Sequence, residues 1–213
     1  MRLTTDSTAV LRRYLVGILT VLFVGFSGVA SAQSLPAQFS VTGVAADDVL
    51  MIRSAPNADA PAIGALDPGA INIEVLELAR EGRWGKVWTG ETVGWVAMRF
   101  MERQEVLAGI MPRPLNCYGT EPFWHIGLAP RGQSYELMGE ARRNLTLIAQ
   151  AVAENGYLVT LQDDAAQPWT LIVERRGCSD GMSDREFGFG VLLFSQASDG
   201  PYVHSGCCTL DGR

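Results

Sequence analysis

Four cysteines stand at positions 117, 178, 207 and 208, all in the second half of the chain and two of them adjacent. What such a set does depends on the compartment, and the N-terminus speaks to that. Arg12 and Arg13 precede an apolar run from Leu15 to Ala30, and Ala30-Ser31-Ala32 ends it. A charged segment, a short apolar segment and a small-residue cleavage site make a secretory signal peptide over residues 1–32. The run is shorter than the roughly 20 apolar residues of a spanning helix, so a cleaved leader is favoured over an anchor, and no stable membrane span is expected afterwards. No cysteine follows the cleavage point, which argues against a lipoprotein. Export implies a periplasmic or secreted protein in an oxidising compartment, where an even count of cysteines reads as two disulfides. The alternative, a zinc site formed with His204, lacks a paired C-x-x-C spacing and needs thiolates that do not persist there.

The net charge is −6. The leader takes away three arginines and one aspartate, leaving −8 on the mature chain. Nucleic acid and anionic lipid need a basic surface, so neither is an expected partner. A mature chain of about 180 residues allows one or two domains.

From Phe39 to Met101 the text alternates short strands with turn residues. Gln38–Val41 and Val49–Arg53 are β-like, residues 54–59 form a loop, and Asp67-Pro68-Gly69 turns the chain after Ile63–Leu66. Ile71 to Leu78 carries apolar residues at 71, 73 and 75 with polar ones between, the pattern of a half-buried strand. Trp84–Trp88 and Val93–Val96 flank Thr89-Gly90-Glu91-Thr92 as a hairpin. Five short strands in about 60 residues make a small barrel. The succession GVAADDVLMIRSAPNADAPAIGAL, then GRWGKVWTGETVGWV, resembles a bacterial SH3 domain over residues 39–102. Leu50-Met51-Ile52-Arg53-Ser54-Ala55-Pro56 stands where that family has L-N-V-R-S-G-P. Residues 103–114, with Pro112 and Pro114, read as an extended linker.

In the second half, Phe123–Leu128, Trp169–Val173, Phe187–Phe194 and Tyr202–Leu210 read as strands. Residues 136–153 contain helix formers, but Leu145, Leu147 and Ala149 alternate with Thr146, Ile148 and Gln150. The expectation is two strands joined at Asn155-Gly156. Seven or eight strands make a second β-barrel or sandwich over residues 115–213, so the whole mature chain is expected to be all-β. Gly119 to Trp124 (GTEPFW), Cys178 to Asp184 (CSDGMSD) and Gly206-Cys207 resemble an uncharacterised envelope-protein family. Its domains are similar to the lipocalin-like barrels of lysozyme inhibitors and related lipoproteins. A shared fold carries no activity with it. Adjacent strand residues point to opposite faces, so Cys207 and Cys208 should take different partners. The resemblance implies Cys178–Cys207, which leaves Cys117–Cys208; the swapped pairing stays open.

Gly177-Cys178-Ser179-Asp180-Gly181 matches the G-x-S-x-G of serine hydrolases, with Asp184 or Asp199 and then His204 following. A nucleophile elbow needs a strand-turn-helix in a large α/β sheet, and nothing here supplies one. Asp180, Asp184 and Glu186 fail the EF-hand spacing and suit the capping of turn amides better than a cation. No metal or cofactor is expected. Binding candidates remain. Trp84, Lys86 and Trp88 share one strand face and suit stacking on a sugar or peptide, whereas Trp95 reads as structural. In one reading Phe123 or Trp124 plugs a barrel end that Glu121 caps; in the other Glu121 and Trp124 line a pocket near the Cys178 loop, where Arg185 would also project. His125 is expected to face solvent. The resulting expectation is a non-catalytic envelope protein. Its SH3-type domain would bind cell-wall peptide or a protein partner, and its barrel an unidentified ligand. Inhibition of lysozyme-type enzymes is the alternative, and hydrolysis at Ser179 is the weakest reading.

Overall fold

Short alternating segments separated by turn residues favour sheet, and among the described residues the chain folds as strands and turns, with a single 3-10 turn at Met98–Phe100. The computed structural model describes residues 34–197 and 200–212. The leader over residues 1–32 and Asp199 lie outside them.

The first lobe contains β1 (Ala37–Val41), β2 (Leu50–Arg53), β3 (Ala62–Leu66), β4 (Ile73–Val75), β5 (Leu78–Ala79), β6 (Trp84–Trp88), β7 (Val93–Ala97) and β8 (Met101–Arg103). Hydrogen bonding divides these into a three-stranded sheet, β4-β1-β8, and a five-stranded sheet, β3-β2-β7-β6-β5. Both press on one core that includes Phe39, Ile52, Ile73, Val75, Val87 and Val96. The β6–β7 hairpin closes at Thr89, whose amide donates to the Thr92 carbonyl at 2.8 Å. The half-buried strand expected over Ile71–Leu78 is different in fact. The segment is broken: residues 73–75 pair as β4 and Leu78 belongs to β5, Ile71 is 60% exposed, and the polar residue between the two buried apolar ones, Glu74, is itself buried. Both faces of β4 are covered, one by the lobe's own core and the other by the second lobe, so alternation loses its meaning there.

The second lobe is a closed barrel of β9 (Leu115–Thr120), β10 (Phe123–Leu128), β11 (Gln133–Leu137), β12 (Arg143–Ala153), β13 (Gly156–Asp163), β14 (Pro168–Cys178), β15 (Phe187–Ala197) and β16 (Gly200–Thr209). Each strand pairs with its sequence neighbours, and β16 closes the ring on β9. Closure removes the sheet edges that an open β fold must protect. Inward residues alternate along each strand, and Trp124, Tyr135, Trp169 and Phe189 fill the interior. Met111 of the connector joins this core, 1% exposed, while Arg113 donates to the Ala129 carbonyl at 3.3 Å.

Two details of β12 and β13 differ from the expected pattern. Leu147 pairs with Leu161 but Ala149 with Thr160, so Ile148 is bulged out and the inward parity changes there. The hairpin turn is Glu154-Asn155, and Gly156 is already the first residue of β13, paired with Ala153. The glycine is required for a different reason. A Cβ on Gly156 would lie 2.1 Å from the Val173 carbonyl oxygen. A backbone atom cannot rotate away, so Gly156→Ala should force β13 and β14 apart. The expected loss is about 1–3 kcal/mol, read as a lower urea midpoint.

Residues 34–213 form one compact unit, so the two lobes are packed against each other. Their contact is polar at its centre. Gln38 donates to the Leu210 carbonyl at 2.9 Å, and the Gly212 amide donates to the Asn72 carbonyl at 3.2 Å. Gly188 lacks a side chain where Pro36 packs; a Cβ would sit 1.9 Å from the proline ring.

Candidate functional site

The cysteines set the site. They form Cys117–Cys208 and Cys178–Cys207, the bridges that the family resemblance implies. No described cysteine is free, which leaves no thiolate for a zinc site. Cys208 faces the barrel interior and Cys207 the outside, so β16 is stapled on both faces, to β9 and to the end of β14. The second bridge anchors the loop from Ser179 to Glu186.

That loop is built from its own side chains. Asp180 accepts from the Met182 and Ser183 amides at 3.0 and 2.9 Å and from the Ser183 hydroxyl at 2.7 Å. Slight burial opposes its ionisation, but these donors prevail and hold the Asp180 carboxyl below the usual range. Ser179 Oγ accepts from the Gly181 amide at 3.2 Å. His204 lies on the same face of β16 as Cys208, its ring tilted against those of Trp124 and Tyr202, whereas Ser179 sits beyond Cys207 on the outer face. A serine and a histidine on opposite sides of a strand cannot exchange a proton. Nor do the three carboxylates converge. Asp180 is occupied by the turn, Glu186 pairs with Lys86, and Asp184 is exposed. Among the described residues no group of three or more His, Cys, Asp or Glu side chains is placed to hold a metal.

What the loop does form is one wall of a cleft of about 960 Å³. Trp88 enters it from the first lobe, and Tyr118, Phe123, His125, Met182 and Phe187 come from the barrel. Arg185 links the two lobes. Its guanidinium lies 5.2 Å from the Trp88 ring centre and 5.1 Å from that of Phe187, and it donates to Thr209 Oγ1 at 3.2 Å. A cation between two aromatic faces is held by their quadrupoles and fixes both rings. Tyr118 and His125 stack with centres 4.8 Å apart, and partial burial keeps the His125 imidazole below its ordinary pKa. Met138 and Met182, 73% and 68% exposed, form a flexible apolar rim with Phe123. Glu136, Arg142 and Asp180 place both signs of charge around it.

Four candidates therefore meet: Trp88, Trp124, Asp180 and Arg185. Trp124 is the floor, 3% exposed inside the barrel, lying against Gly119 where a Cβ would meet its Nε1 at 2.0 Å. Glu121 stays on the exposed turn between β9 and β10, and Asp184 stays outside the cleft. The shared face of Trp84, Lys86 and Trp88 is present, with Val87 wholly buried on the other side. It does not form one stacking platform. Lys86 lies 3.1 Å from both Glu77 and Glu186 and 5.6 Å over the Trp95 ring. Burial alone would lower its pKa, but the two glutamates outweigh it and hold the ammonium above its ordinary value. Trp84 lines a separate groove of the first lobe. His125 is half-buried rather than solvent-facing, because Tyr118 covers it.

No protein-family model, curated protein or solved structure matches this chain. Tyr118, Met138 and Phe187 escaped the sequence reading. Period-two alternation puts the first and last on outward or inward faces, but only barrel closure brings β9, β11 and β15 around one opening.

Proposed function

We propose that this protein is an exported, non-catalytic envelope protein that holds a peptide in the cleft between its first lobe and its barrel. The peptide would belong to the cell wall or to an envelope partner. The observation that carries this reading is the cleft's composition: aromatic walls from two lobes, a methionine rim, and charges of both signs fixed by their own contacts. Sites with convergent apolar surface and a few oriented polar groups are where ligands bind. Extended peptides need both an apolar trough and partners for their charged groups. Two disulfides fit an oxidising compartment, and no helix among the described residues is long and apolar enough to cross a membrane. Placement in the periplasm or outside the cell rests on the leader.

Co-sedimentation with purified peptidoglycan tests the wall-peptide form. Phe123 and Met138 are exposed, so Phe123→Ala/Met138→Ala should leave the melting temperature nearly unchanged while the apparent affinity falls about tenfold, the loss of roughly 1.4 kcal/mol of contact. An intact protein that stays in the supernatant would remove the wall from the reading. A double variant that sediments as well as the parent would remove the cleft.

A further inference from the structure

The groove that Trp84 lines belongs to the first lobe alone and has a volume of about 700 Å³. Its floor is apolar, made by Pro56 and Ala58 of the β2–β3 loop, Trp84 and Met98. Arg80, Arg83 and Arg99 surround it, and no carboxylate lines it. Three arginines and no acid are unexpected on a chain of net charge −6. Among the described residues neither Arg80 nor Arg99 forms an ion pair, and Arg83 has only Glu81 at 3.9 Å, both side chains well exposed. Such an exposed pair is weak and yields readily to a better partner.

Two of the guanidinium groups are held ready. Arg83 Nε donates to the Arg80 carbonyl at 3.0 Å, and Arg99 lies 4.6 Å over the Phe100 ring. The turn that presents Arg80 and Arg83 is strained: Arg80, Glu81 and Gly82 are consecutively left-handed, with φ of 54°, 60° and 80°. Two non-glycine residues in that region cost on the order of 1 kcal/mol or more each, and such costs gather at ligand clamps. Fixed donors lose little freedom on binding, so more of the contact energy remains as affinity.

We propose that this groove binds an acidic peptide segment, its carboxylates on Arg80, Arg83 and Arg99 and an apolar side chain on the Trp84 indole. Guanidinium forks match carboxylates in plane and spacing. The apolar floor favours a peptide over a phosphate polymer, which brings no side chain to fill it. The overall negative charge repels any polyanion at a distance, so attraction acts only within the groove and depends strongly on salt.

Fluorescence anisotropy of the full chain with a short labelled peptide of Asp-Leu-Glu-Gly repeats tests this. Its Asn/Gln counterpart should bind at least tenfold more weakly. Arg83→Gln/Arg99→Gln should weaken the acidic peptide about tenfold, while Arg131→Gln, an exposed charge on the barrel, leaves it unchanged. All three positions are exposed, so the variants should melt with the parent. Equal binding of the amide peptide, no response to the double variant, or an equal response to Arg131→Gln overturns the proposal. So does an oligothymidylate that binds as tightly as the acidic peptide.

Discussion

Replacing Cys117 and Cys208 together by alanine is expected to lower the unfolding free energy by about 4–5 kcal/mol, the larger of the two disulfide effects. The bond spans 91 residues and joins the first and last strands of the barrel. Its absence frees a long loop in the unfolded chain. In the folded state, β16 and β9 meet through only three residue pairs, one of them the cysteines themselves. Both residues are wholly buried, so alanine also leaves unfilled space at the seam. The Cys178–Cys207 bond spans 29 residues, and its loss should cost about 3–4 kcal/mol. That variant should also loosen the 179–186 loop and with it the cleft. Urea unfolding of the two double variants decides the matter. A smaller loss for the long loop than for the short one would show that the seam does not depend on its bond.

A second large effect is pH dependence at Glu74. This carboxylate is 3% exposed between the lobes, where Thr209 Oγ1 donates to it at 2.5 Å and the Leu210 amide at 2.9 Å. Burial raises its pKa to about 7; the two donors and Arg185 lower it in part, and Asp211 adds to the rise. The folded state therefore keeps a proton that the unfolded state has released. Stability from this group is greatest below its unfolded pKa of 4.5, and is lost as pH rises through 7. The shift corresponds to about 3 kcal/mol across that window. Glu74→Gln keeps the size and cannot ionise, so its stability should stay flat between pH 4.5 and 7 except for changes shared with the parent. Thermal or urea unfolding at several pH values compares the two slopes. Parallel slopes would mean that Glu74 does not govern the docking of the lobes.

The β class was legible because strand alternation and turn chemistry act over a few residues, as at the Trp84–Trp88 and Val93–Ala97 hairpin. The different partners of Cys207 and Cys208 followed from strand geometry alone. Glycines were legible as punctuation but not as close contacts, so Gly156 was assigned to a turn that Glu154 and Asn155 make. The candidate site was half legible. Trp88, Trp124, Asp180 and Arg185 meet in the cleft, whereas Trp84 and Lys86, on the same strand face as Trp88, are drawn to other neighbours.

The sequence alone thus determined the all-β class, the net negative charge and the number of staples, all properties of local pattern or count. Tertiary structure decided the rest. Lys86 meets Glu186 across 100 positions, and Glu74 meets Thr209 across 135. Ser179 and His204 were separated in the same way, by which side of β16 each one occupies. Burial, pairing and pKa depend on what lies across the closed barrel and the lobe interface. A pattern of a few residues carries no information about a neighbour a hundred residues away.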